Sequence, residues 1–253
     1  MRGTWKLVWP PLVAVLFFVG IWQFSVMVFD IPAYQLPSPS DIARESRNNA
    51  AGIWEHTAAT LRLTLIGFPV GTGIGLLTAL LLHLLPWLKR ALYPLLILSQ
   101  NVPSLALAPL LIIWFGFGLL PKIILITLVC FFPVAVAAMG GLAQSDRVMM
   151  NYMKMAGAGK WQIFSKLELP GSLPSLFSGL KISATYAVMG AVVAEWIGAD
   201  KGIGYYLLLQ KASYRADRMF VAIMIIVLLS LVLFALIALL ERWLVRWKPR
   251  KEA

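Results

Sequence analysis

Charge is what this sequence has least of. Only 13% of its 253 residues are charged and 60% are hydrophobic, whereas an ordinary soluble domain carries about a quarter charged residues. Cysteine is almost missing as well. Cys130 stands alone inside an apolar run, which excludes a disulfide framework or a cysteine metal cluster and leaves a small buried hydrophobe. The two histidines, His56 and His83, are far apart and have no neighbouring ligand residues, so no chemistry is expected of them. The chain has no His-Glu-x-x-His, no Gly-x-Ser-x-Gly and no paired acids within an apolar run, so zinc, serine and aspartyl mechanisms lack their residues. A phosphate-binding loop fails too. Ala158-Gly159-Lys160-Trp161 contains Gly-Lys, but Lys154 stands where the motif needs glycine and Trp161 where it needs a hydroxyl. The expectation is a chain with no catalytic residues, no metal and no cofactor of its own.

Long apolar runs are present in number. A membrane-spanning helix needs roughly 20 mostly apolar residues, and six runs qualify: Leu7–Phe29, Ala58–Leu84, Tyr93–Phe115, Lys122–Ala143, Leu176–Ile197 and Met219–Trp243. The first follows Arg2 and Lys6 as a signal peptide would, yet it is longer than a signal core and no small-x-small site follows it. It reads as a retained helix. Pro32, Pro37 and Pro39, then Pro86, then Gly116, Gly118 and Pro121, then Pro170 and Pro174, then Gly198, Gly202 and Gly204 punctuate the runs. The fold expected is all-α: one polytopic membrane unit over residues 1–253 with about six transmembrane helices.

The net charge of +11 is distributed by topology and forms no nucleic-acid patch. With the N-terminus inside, Arg2, Lys6, Lys89, Arg90, Arg147, Lys154, Lys160, Lys166, Arg242, Arg246, Lys248, Arg250 and Lys251 fall on the cytoplasmic side. Only Arg44, Arg47, Lys122, Lys201, Lys211, Arg215 and Arg218 fall opposite, offset by acids. The positive-inside rule then puts both termini in the cytoplasm, with residues 144–175 as the longest cytoplasmic loop.

Within the runs, Gly67, Gly71 and Gly75 recur every fourth residue, with Gly73 between them. That face admits a second backbone closely, either inside one subunit or across a dimer seam. Pro69 is expected to bend the helix. Ser99, Gln100 and Asn101 lie mid-run before Pro103 and suit either a solute path or interhelical hydrogen bonds. Pro103 and Pro109 are expected to interrupt the third run. Thr185 and Tyr186 are further pathway candidates, as is Glu195, which can order the following glycine-rich loop, gate an exit or serve as an interfacial anchor. Lys181 reads as snorkelling. Trp5, Trp9, Trp243 and Trp247 read as interfacial anchors.

The loop from Gln144 to Ser175 is long for a connector. Two amphipathic pieces flank a Gly157–Gly159 hinge: Met155, Trp161, Ile163, Phe164 and Leu167 are apolar, while Lys154, Lys160 and Lys166 are wet. Pro170 is expected to stop the segment before the fifth helix. Gly157, then Leu167, Leu169 and Pro170, stand at the spacing of the cytoplasmic "EAA" loop, and the chain here resembles ABC importer permeases of the binding-protein-dependent type. The triplet itself reads Asn151-Tyr152-Met153, so no glutamate contact is implied. Leu36-Pro37-Ser38-Pro39, Pro103 to Leu110, Trp114-Phe115-Gly116-Phe117-Gly118, Glu195-Trp196-Ile197-Gly198 and Gly202-Ile203-Gly204-Tyr205 are similar to blocks of the nitrate, sulfonate and taurine permeases, in the same order.

The resemblance implies a multi-pass subunit of the bacterial cell membrane, with a family core over about residues 58–243. It implies two permease subunits (most simply a homodimer), two cytoplasmic ATPases carrying ATP and Mg, and an extracytoplasmic solute-binding protein. Ala156, Gly157, Ala158, Gly159 and Lys160 would form the ATPase-coupling element. The stretch from Glu195 to Tyr206 looks closest to permeases for thiamine pyrimidine precursors, such as hydroxymethyl- or formylaminomethyl-pyrimidine. Aliphatic sulfonates, taurine and nitrate stand as alternatives within the group, and a self-contained secondary transporter or a membrane scaffold as alternatives outside it.

Overall fold

The computed structural model describes residues 2–245, with side chains for all of these except 2–8, 104 and 105. Arg246, Trp247, Lys248, Arg250 and Lys251 lie outside the described residues, as do the side chains of Arg2, Trp5 and Lys6. Every regular element among the described residues is helical: α1 (Arg2–Val28), α2 (Pro39–Asn48), α3 (Ala50–Leu84), α4 (Pro86–Ser99), α5 (Ser104–Phe115) and α6 (Leu119–Ala143). Then come α7 (Arg147–Met155), α8 (Lys160–Ile163), a π-helical turn (Phe164–Glu168), α9 (Leu169–Trp196), α10 (Ile203–Ala212) and α11 (Ala216–Leu244). Five stretches are long and apolar enough to cross a bilayer: Trp9–Val28, Ala50–Leu84, Leu119–Ala143, Lys160–Trp196 and Ala216–Leu244.

The third expected span is the exception. Tyr93–Phe115 is not one helix but the end of α4 and all of α5, broken over residues 100–103. Pro103 has no N–H to continue the ladder. The Asn101 side chain adds to the break, its Nδ2 donating back to the Ile97 and Leu98 carbonyls at 3.2 and 3.4 Å. Pro109, expected to interrupt the same run, sits inside an unbroken α5, and Pro69 likewise lies within a continuous α3. Pro170 does not stop the loop; it follows the π-helical turn inside one helical stretch that runs from Lys160 to Trp196. Pro174 follows inside the same helix, so the loop ends several residues earlier than its sequence suggested.

Three helices, α3, α6 and α9, make the centre. A Cβ added at Gly67 would stand 2.7 Å from Ile126 Cγ2, at Gly71 2.8 Å from Cys130 Cβ and 3.0 Å from the Thr127 Cα, and at Gly75 2.6 Å from the Phe131 carbonyl oxygen. All of these contacts lie on α6. The glycine face therefore packs within the subunit and is not a seam between two chains. Along the α6–α9 contact, Gly179 and Gly190 sit as tightly, and Ser183 Oγ donates to the Cys130 carbonyl at 3.0 Å. In lipid, this close approach and the buried hydrogen bonds hold helices together, because apolar side chains gain nothing by exchanging lipid for protein.

The remaining helices are peripheral. α1 is exposed along nearly its whole described length, touching the body through Trp22 against Phe220. α11 packs on α9, and Lys181 on α9 pairs with Glu241 of α11, so this lysine has an ionic partner and does not simply reach for the interface. At the α2–α11 junction Glu45 receives Arg218 Nε at 2.9 Å and lies 3.2 Å from an Arg215 guanidinium nitrogen.

Gly75→Ala is expected to lower stability by about 1–3 kcal/mol, the usual cost of overpacking. Gly73→Ala, whose Cβ meets nothing within 4 Å, should leave stability unchanged. Thermal unfolding of the two variants in detergent checks the difference.

Candidate functional site

Three places bring the candidate residues together. The first is a cavity of about 450 Å³ beside the α4–α5 break. Ser99 and Gln100 reach it from the break, Tyr186 and Met189 from α9, and Phe131 and Phe132 from α6. No lining residue carries a charge. Asn101, Pro103 and Thr185 do not line it: Asn101 is occupied in capping α4, and Pro103 shapes the break without facing the space. The broken backbone is accounted for locally, since Asn101 N–H donates to the Leu98 carbonyl and Val102 N–H to that of Ser99.

The second place is the loop after α6. Asp146 opens α7 as its N-cap, accepting from Val148 and Met149 N–H at 2.8 and 3.2 Å. α7 has no buried residue. The chain then turns at Gly157, whose φ of +80° suits glycine and strains other residues. Ala156 and Ala158 flank the turn, and Gly159 N–H donates to Gln162 Oε1 at 2.9 Å, fixing the start of α8 at Lys160. Met155 and Trp161 are 81% and 71% exposed, whereas Ile163 and Phe164 are buried. The loop thus has a free limb and an anchored limb. Leu167 lies in the π turn, and Leu169 and Pro170 begin α9.

The third place lies around Glu195, near the end of α9, and the sequence did not disclose its partners. Glu195 is 2% exposed. Its Oε2 accepts from Thr60 Oγ1 at 3.0 Å and from Gly204 N–H at 2.8 Å. Thr60 Oγ1 in turn accepts from Ile203 N–H at 2.8 Å, and His56 Nδ1 accepts from Gly202 N–H at 3.1 Å. Gly202 has a φ of +125°, and a Cβ there would collide with the Glu195 carboxylate. Asn49 Nδ2 adds a bond to the Tyr206 hydroxyl at 3.0 Å. Glu195 therefore orders the glycine-rich loop, from outside the cavity. His56 has a definite hydrogen-bonding role and so does His83, whose Nε2 lies 2.9 Å from Glu168 Oε2. Trp196 is partly exposed at the end of α9.

This combination (a broken helix beside an uncharged cavity, an exposed glycine-hinged loop, and tightly interlocked spans) fits a transport subunit. The family model for "Binding-protein-dependent transport system inner membrane component" matches residues 71–246. The chain belongs to this permease family. It is 36% identical to a probable ABC transporter permease of Haemophilus influenzae over 224 residues, covering 88% of this chain and 91% of that one. To the formylaminopyrimidine transport permease ThiX of Halalkalibacterium halodurans it is 34% identical over 252 residues, 99% and 100% of the two chains. Permeases of Escherichia coli named for aliphatic sulfonates and taurine match at 32% and 29%, each over 233 residues. The inward-facing methionine ABC transporter MetNI shares the fold, with a TM-score of 0.65 at 22% identity over 77% of this chain and 95% of that one. The chain is thus a multi-pass permease subunit of an ABC importer in the cell membrane, a transport component and not an enzyme. Members of this family work with ATPase and solute-binding partners.

Thr60→Val removes the acceptor of a buried N–H and a donor to a buried carboxylate. A loss of about 1–3 kcal/mol is expected, with Thr60→Ser restoring most of it. Thermal unfolding in detergent reads both.

Proposed function

We propose that this permease passes an uncharged, planar nitrogen heterocycle of the pyrimidine type, delivered from outside by a binding protein and driven by an ATPase docked on residues 144–168. The observation that carries the coupling is the free limb of the loop. Val148, Tyr152, Met155 and Trp161 are each well over half exposed around the Gly157 hinge. A contiguous apolar surface of this kind belongs against a partner. In this reading both termini are cytoplasmic, and ATP and Mg stay on the ATPase. The permease chain pairs most simply with a second copy of itself. ATP-driven closure of the ATPases can move the loop only if the two nucleotide states bind it differently.

The solute class rests on the cavity lining and on the full-length similarity to ThiX. Phe131, Phe132 and Tyr186 suit a flat ring, while Gln100 offers hydrogen bonds to ring nitrogens and amino groups and Ser99 Oγ, which donates to the Leu96 carbonyl, can accept one more. The volume of about 450 Å³ lies within the span of small-molecule sites. A sulfonate or nitrate would enter without a cationic partner, and leaving water unpaired costs an anion several kcal/mol. This weighs against the sulfonate and taurine reading that other relatives suggest.

Proteoliposomes holding the permease with its ATPase and binding protein are expected to take up radiolabelled formylaminopyrimidine and not taurine; the reverse preference overturns the solute class. Gly157→Trp should still insert in the membrane but lose its ATPase on purification, and normal uptake by this variant contradicts the docking. Gln100→Leu should keep its ATPase while uptake falls about tenfold, as for one lost hydrogen bond to solute. Unchanged uptake returns Gln100 to a packing role.

A further inference from the structure

The anchored limb of the loop is tied to α3 at one point. Phe164 is buried, and the imidazole of His83, in the last turn of α3, lies 6.1 Å from its ring centroid. Beside it His83 Nε2 stands 2.9 Å from Glu168 Oε2, with both side chains largely buried. A carboxylate oxygen can only accept, so Nε2 carries the hydrogen. Glu168 closes the π-helical turn Phe164–Glu168. Such turns are a local departure from the regular ladder and often mark functional points. The loop's free limb has no comparable anchor, because α7 buries nothing.

α3 is a single 35-residue helix, about 52 Å long at 1.5 Å per residue. His83 is near one end. Near the other, Thr60 and His56 hold Ile203 and Gly202 of the glycine-rich loop through their backbone N–H groups. Between the two ends, Gly67, Gly71 and Gly75 leave no space against α6. A push delivered at His83 therefore has no slack to disappear into, and a close-packed body transmits strain.

We propose that the His83–Glu168 contact is the strut through which movement of the loop enters α3, and that α3 carries it about 35 Å to the Thr60–Glu195 latch. His83 and Glu168 are positioning residues: they touch no solute and no nucleotide. The proposal rests on the reading of the loop as the ATPase dock.

The test uses the assembled importer in proteoliposomes. Asp200→Cys places a thiol on the exposed residue between Glu195 and Gly202, and Cys130, fully buried, contributes no background. Its labelling by a membrane-impermeant maleimide is timed with and without ATP and Mg. In the parent chain the rate is expected to change on nucleotide addition. Glu168→Leu should shrink that change about tenfold, the scale of one charge-assisted hydrogen bond. Glu168→Gln, which can still accept from His83, should retain it. His83→Leu, altered outside the loop, must show the same loss. A full nucleotide response in His83→Leu overturns the strut even where Glu168→Leu fails to assemble. An ATPase that does not bind the parent chain strikes the docking reading itself. Loss of response with the ATPase still bound supports the strut.

Discussion

Inside a bilayer, helices are held by how closely their backbones approach and by the polar groups they bury together. Here that constraint is met first between α3 and α6, where three glycines one turn apart bring the helices so near that a single added Cβ would meet Ile126, Cys130 or the Phe131 carbonyl oxygen. α9 then packs on α6 through Gly179, Gly190 and the Ser183–Cys130 hydrogen bond. With these three helices interlocked, the α4–α5 break can open a cavity beside α6 and α9 without loosening the body. The break leaves little backbone unpaired, because Asn101 and Val102 N–H donate to the Leu98 and Ser99 carbonyls.

The polar side chains of α3 that bond to other elements sit towards its ends. Thr60 and His56 bind the glycine-rich loop by its N–H groups, and His83 meets Glu168 at the opposite end. Between them, glycine and apolar residues do the packing, and Thr64 and Thr72 donate to carbonyls of their own helix. The latch is nearly closed to solvent, with Glu195 receiving both Thr60 and Gly204. The loop after α6 keeps its apolar limb exposed. One end holds a loop of the same chain, and the other presents a surface suited to a different chain.

Much of this was legible in the residues themselves. The fourfold spacing of Gly67, Gly71 and Gly75 announced a close-packed face, though only the contacts with α6 decided between packing within the chain and a dimer seam. Gly157 with Leu167, Leu169 and Pro170 marked the loop, and the left-handed backbone at Gly157 is what that glycine is for. Pro103 signalled a break, but the span was read as one helix because periodicity does not count hydrogen bonds. Pro170 reads as a terminator, whereas the helix runs through it from Lys160 to Trp196 with a π-helical turn just before it. The latch and the strut were out of reach. Thr60 and Glu195 lie 135 residues apart, and His83 and Glu168 lie 85 apart. Neither pair leaves a local pattern, so both histidines looked idle.

This chain works as one subunit of an ATP-driven importer. The most direct measurement is gentle detergent purification of the tagged chain from its own membranes, followed by mass spectrometry of the intact assembly. Permease and ATP-binding subunits are expected in equal number. A chain that emerges alone from several mild detergents, still folded, would contradict this.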